Sequence, residues 1–199
     1  MMYVNSTNPS PRPGIKGLLD RITGPGATPA ELLLQFVPSL VAAVAAPTYA
    51  VTLPIEWTPL QLGLIAFFGF DLVGGVLTNA TSSAKRWYHR KGQGWQQHFA
   101  FVCLHIVHIF LVAKIIREGD WEFFLGTSMY LLGASVIILR SPLYLQRPVA
   151  LLLYGLALLG NCYLFSPTPG LEWFVPLFFL KILVSHLLSD APLHPGETR

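Results

Sequence analysis

The chain has 199 residues, of which 53% are hydrophobic and 12% charged, against about 25% charged in a soluble domain. A chain so poor in charge cannot cover a water-facing surface, which excludes an ordinary soluble globule and makes lipid the expected solvent. The net charge is +3, but the basic residues lie in loops between apolar runs and form no stripe with interleaved aromatics, which sets nucleic-acid binding aside.

In chain order, residues 1–30 are polar and rich in Pro and Gly and read as a flexible cytoplasmic tail, with a short amphipathic turn near Ile15 to Ile22 carrying Lys16 and Arg21. Six apolar runs follow, at about residues 31–53, 58–80, 97–116, 121–139, 149–165 and 171–189. Each is close to the length a helix needs to cross about 30 Å of hydrocarbon at about 1.5 Å per residue. Pro38 and Pro47 are expected to kink the first run, and Pro148 to precede the fifth. Alternating ten-residue segments, the mark of a membrane β-barrel, are absent. The fold expected is therefore all-α, a polytopic bundle of six transmembrane helices over 31–189 with a cytoplasmic C-terminal tail over 190–199.

Orientation follows from the basic residues. Arg12, Lys16, Arg21, Lys85, Arg86, Arg90, Lys91, Arg140, Arg147 and Arg199 fall on one side; Lys114 and Arg117 fall on the other, diluted by Glu118, Asp120 and Glu122. The basic side is expected in the cytoplasm, with both termini in, in a plasma or inner membrane. Trp57, Trp121 and Trp173 would form an outer aromatic belt, and Trp87, Tyr88, Trp95 and Tyr144 an inner one. Cys103 and Cys162 lie inside apolar runs with no Cys-x-x-Cys spacing and read as packing thiols.

Ionisable groups inside a membrane are expensive and are functional candidates by default. Here they are Asp71, His105, His108, Lys181 and His186, with His98 at the inner edge. Gly75, Thr78, Asn79 and Ser82 follow Asp71 at helical spacing and share its face, giving a small polar surface unlike a lipid-facing one. Lys181 is the expected counter-ion of Asp71. Lys181 and His186, five residues apart, would diverge by about 140° on an α-helix and could not meet one centre. His98, His105 and His108 form a stripe, and His98, His105 and His186 are candidate metal ligands, for zinc or haem iron. Lys85, Arg86, Trp87, Arg90 and Lys91 suit a lipid-headgroup layer. Asp190 and His194 fall in the tail, and the glycosylation patterns at Asn5 and Asn79 lie on the wrong side or in the membrane.

These residues fit a small-solute or ion transporter, or a subunit of one, using an intramembrane Asp/His/Lys site that includes Asp71, Asn79, His105, His108, Lys181 and His186. The alternative is a membrane-embedded metal-dependent enzyme acting on lipid; a b-type haem protein or an assembly factor is a further one. The expected partners are the bilayer and a second copy or another membrane subunit. No nucleophile elbow, zinc-protease motif or phosphate loop is present.

Overall fold

The structure, a computed structural model, describes residues 10–189. The cytoplasmic-tail reading of 190–199, with Asp190 and His194, and the Asn5 pattern fall outside the described residues. Among the described residues the chain is helical, without strands: α1 Ile15–Thr23, α2 Pro29–Ala50, α3 Pro59–Ala80, α4 Ser82–Tyr88, α5 Trp95–Ile116, α6 Trp121–Arg140, α7 Leu143–Leu164 and α8 Phe174–His186.

Local chemistry explains the boundaries. Thr28 and Thr58 open α2 and α3 with reciprocal caps: each hydroxyl accepts from the backbone N–H three residues on, and Glu31 or Gln61 accepts in return from the Thr backbone. Pro29 and Pro59 follow, where a missing N–H costs nothing. Asp120 caps α6 through the Phe123 N–H at 2.9 Å. Pro38 and Pro47 lie inside α2. Pro148 lies inside α7 and not ahead of it; Pro142 supplies the break instead.

Five helices (α2, α3, α5, α6 and α7) are long and apolar enough to cross a membrane. The sixth run differs from its expectation. The chain turns at Leu171–Trp173 and is helical only over Phe174–His186, a rise of about 20 Å. Its second half, Leu180–His186, is π-helical. A helix surrounded by protein need not match a bilayer as a lipid-facing span must, and α8 is the element that the others enclose. Phe174, Phe178, Phe179, Ile182 and Leu183 are buried in it, packed with Phe68 and Leu72 of α3, Phe123 and Leu131 of α6 and Ala157 of α7.

Helices α2 and α3 form a close antiparallel pair. A Cβ on Gly69 would lie 2.6 Å from the Ala42 carbonyl oxygen, and one on Gly74 2.7 Å from the Ser39 hydroxyl. Small residues thus let the two backbones approach, as membrane helices require where no hydrophobic force separates protein from lipid.

The contacts sort the bundle into two ends. At one end Arg140 lies over the Trp95 ring at 5.2 Å, Ser83 Oγ donates to the Thr23 carbonyl, and Lys85 Nζ donates to the carbonyls of Ser185 and Leu188. At the other end Gln61 donates to the Ile115 carbonyl at 3.0 Å, and Arg117 binds Asp120, the Ser166 carbonyl and Thr168. The first end gathers most of the basic residues; the second gathers most of the acidic ones. Within the N-terminal stretch, α1 is docked on α4 and tied down by Arg12, whose guanidinium reaches Asp20 at 2.6 and 2.9 Å.

Candidate functional site

Among the described residues, two formally charged side chains lie between the charged ends, and they meet. Lys181 Nζ of α8 lies 2.6 Å from Asp71 Oδ2 of α3. The Lys181 side chain is 4% exposed and Asp71 28%. Gly75, one turn after Asp71, makes the approach possible: a Cβ there would run into the Cδ and Cε atoms of Lys181. His108 Nε2 of α5 donates to the same carboxylate oxygen at 3.0 Å. Since Lys181 already balances Asp71, His108 needs no charge of its own. Its Nδ1 is buried with no hydrogen-bond partner, and a lone pair is cheaper to leave there than an N–H.

His105 stacks on His108 with ring centres 5.0 Å apart and planes 13° from parallel. Its Nδ1 lies 2.8 Å from the Phe101 carbonyl, which only accepts, so Nδ1 carries the proton and Nε2 is left as a base.

A second bank of histidines lies toward the basic end. His186 Nδ1 is 2.9 Å from Asn79 Oδ1, and Asn79 Nδ2 donates to the Gly75 carbonyl at 2.8 Å. That second bond fixes the amide so that Oδ1 accepts from His186. His98 Nδ1 lies 3.2 Å from His186 Nε2, so His98 is the donor in that contact. His89 stacks on His98 at 4.5 Å, and its Nε2 donates to the His186 carbonyl at 3.0 Å. Phe101 divides the banks: its ring stacks on His186 at 3.8 Å on one side and lies 4.2 Å from His105 on the other.

The divergence expected between Lys181 and His186 does not occur. Leu180–His186 is wound with i→i+5 bonds, as in Leu187 N–H to the Ile182 carbonyl at 3.1 Å. A π-turn returns residues five apart to nearly one face, so both side chains point at α3 and α5.

Both banks border a cavity of about 270 Å³ lined by Gln35, Ser39, Asp71, Gly74, Gly75, Thr78, Asn79, Tyr88, Phe101, His105 and Lys181, with Ile22, Phe36 and Phe70. Gln35 was not among the sequence candidates. It is buried, accepts from Thr78 Oγ1 at 3.1 Å and contributes α2 to the site. A lone amide in an otherwise apolar run was the signal for it. His89 was read only as part of the basic segment, and nothing in its spacing links it to His98.

The headgroup set divides. Lys85 is buried and caps the C-terminal carbonyls of α8. Arg90 stacks on the Trp87 ring at 3.6 Å and donates to the Trp87 carbonyl at 2.5 Å. Lys91 is exposed, and Arg86 lies between. Lys85 is thus enclosed, Arg86, Trp87 and Arg90 are half-buried, and Lys91 alone of the five is exposed.

The metal set also changes. His98, His105 and His186 do not converge, since Phe101 stands between His105 and His186. Among the described residues, the three whose ligand atoms lie within 4.8 Å of one another are Asp71, His105 and His108. A divalent ion on Asp71 would lie within about 5 Å of the Lys181 ammonium, a repulsion of about 7 kcal/mol at an effective dielectric near 20. No second carboxylate is there to offset it. The Lys181 ammonium therefore disfavours a dication on Asp71.

No family model, curated protein or solved structure matches the chain.

Proposed function

We propose that the protein is a carrier for a small solute or ion, or a subunit of one, and that the cavity between α2, α3, α5 and α8 is its binding site. The observation that carries this reading is the Asp71–Lys181 pair: both members line a largely apolar cavity, held by a His108 bond and given room by Gly75. An ion pair retained purely for packing gains by full enclosure with every donor and acceptor satisfied. Here the carboxylate is only partly enclosed and borders the cavity, which leaves Asp71 within reach of a solute. Neighbouring imidazoles supply ring nitrogens that donate on one side and accept on the other.

The same reading carries a topology. Five long helices and the enclosed α8 make six crossings, with both termini on the cytoplasmic side of a plasma or inner membrane. The clustering of basic residues at the end shared by α1, α4 and the C-terminus of α8 supports it.

The test is electrometry on proteoliposomes challenged with amino acids, sugars, carboxylates and inorganic ions, at about pH 6 and about pH 8. A transport current with one class, lost in Asp71→Asn, is expected. Current that survives Asp71→Asn unchanged would refute the assignment of the site.

The metal-enzyme alternative rests on the Asp71, His105 and His108 cluster. Mass spectrometry of protein purified in mild detergent tests it. About one zinc or iron per chain, lost in His105→Ala, would favour that reading despite Lys181.

A further inference from the structure

The carrier reading uses Asp71, Lys181, His105 and His108 and leaves a second cluster unexplained. His89, His98, His186 and Asn79 are drawn from α3, the segment after α4, α5 and α8. Packing alone does not require three imidazoles in mutual contact. Two apolar rings would fill the space without leaving polar nitrogens to satisfy.

We propose that His98 and His186 form a directional proton path from the basic end of the bundle to the cavity, so that the coupling ion of the carrier is the proton. The inference rests on the carrier reading and adds a site and a ligand class to it.

The hydrogen-bond directions set the mechanism. His98 lies one turn into α5, beside the exposed residues of the 89–97 stretch, and is 7% exposed. A proton arrives on His98 Nε2 and makes it an imidazolium. The Nδ1 proton then passes across 3.2 Å to His186 Nε2. His186, now protonated on both nitrogens, passes its Nδ1 proton to the Asn79 amide oxygen, which gives it up to a water in the cavity that Asn79 lines. Asn79, Phe101, His105 and Asp71 all line the cavity, which has room for several waters. One water there carries the proton onward to His105 Nε2 or Asp71. Each imidazole takes a proton on one nitrogen and gives it from the other, so charge and protons balance at every step, and ring rotation resets the pair.

The other groups around the path support its direction. Lys85 is held on the Ser185 and Leu188 carbonyls, and Tyr88 meets the His186 ring edge-on at 5.8 Å. His89 positions His186 through the backbone carbonyl and covers His98 by stacking. Phe101, between the banks, blocks direct contact of His186 with His105 and forces the proton through the cavity, where the solute binds. That arrangement ties proton movement to occupancy of the cavity.

The experiment is proton uptake into proteoliposomes of the full chain loaded with a pH-sensitive dye, driven by a potassium diffusion potential set with valinomycin. Glutamine at 98 keeps a hydrogen bond but cannot carry a proton, so His98→Gln is expected to lose at least about tenfold of the uptake rate. Cys103→Ser, at an exposed position on the same helix, is expected to match wild type. In His98→Ala, added imidazole is expected to restore uptake in a dose-dependent way, which a purely structural role would not produce. Monodispersity on size exclusion controls for folding. Wild-type uptake in His98→Gln alongside a silent Asp71→Asn would overturn the path and leave the carrier reading standing. If wild type carries protons in no condition but does carry solute, the proposal falls and the carrier is not proton-coupled. If it carries neither, both fall.

Discussion

Replacing Lys181 with Met removes the charge and keeps most of the volume. Asp71 is then left in a low-dielectric setting with only His108 to satisfy it. At 2.6 Å the direct attraction between Asp71 and Lys181 is about 6 kcal/mol at an effective dielectric near 20, of which desolvation of both groups cancels much. Removing one partner of a buried pair costs about 3–5 kcal/mol. The Asp71 side chain is 28% exposed and keeps its His108 bond, so the low end, about 3 kcal/mol, is expected. Asp71→Asn should cost a similar amount, since it leaves the Lys181 ammonium unpaired at 4% exposure. The double variant removes both charges together and should lose only about 1–2 kcal/mol, a coupling of at least about 3 kcal/mol. Reversible unfolding in mixed micelles of mild detergent and dodecyl sulfate measures all four proteins. Additive single losses, with no coupling beyond about 0.5 kcal/mol, would refute the ion pair as the centre of the site.

Three further outcomes are expected. Arg12 hydrogen bonds hold the Asp20 carboxyl down to about 2, below its unfolded value near 3.9. The stabilisation of α1 is therefore complete above about pH 4 and is lost as the pH falls toward 2; amide exchange in α1 should accelerate over that window, and Arg12→Gln should abolish the pH dependence. Gly24 holds φ +85°, and a Cβ there would meet the Ser83 carbonyl group and, at 2.5 Å, the Ala84 amide nitrogen; Gly24→Ala should undock α1 from α4 at a cost of about 1–3 kcal/mol, seen as faster proteolysis near residue 24 with the other helices unaffected. Arg117 joins Asp120, the Ser166 carbonyl and Thr168 while lying 4.4 Å over the Phe123 ring; Arg117→Met should cost about 1–3 kcal/mol and loosen the 165–170 turn, read by amide exchange.

Sequence chemistry and structure agree wherever one helix carries the information alone. Thr28-Pro29 and Thr58-Pro59 announce their helix starts through capping, and the first four runs end within three residues of α2, α3, α5 and α6. The Asp71, Gly75, Thr78 and Asn79 face is a periodicity on one helix, and it lines the cavity. What one sequence does not reveal depends on several elements at once. The π-winding of Leu180–His186 leaves no compositional trace, yet it alone decides whether Lys181 and His186 share a face. Lys85 reads as a headgroup residue because its neighbours are basic, but α8 ends within its reach and supplies two carbonyls. His89 belongs to the His98–His186 cluster only because α4 turns back onto α5 and α8. The shortness of α8 follows from its enclosure, which run length does not encode.

The most direct test of the account is solute-driven and potential-driven current in proteoliposomes, wild type beside Asp71→Asn, with Lys181→Met/Asp71→Asn as the folded, charge-free control. A current carried by wild type and absent from both variants, each monodisperse and folded, is the result expected. Equal currents in all three would show that the buried pair and its cavity are not where transport occurs.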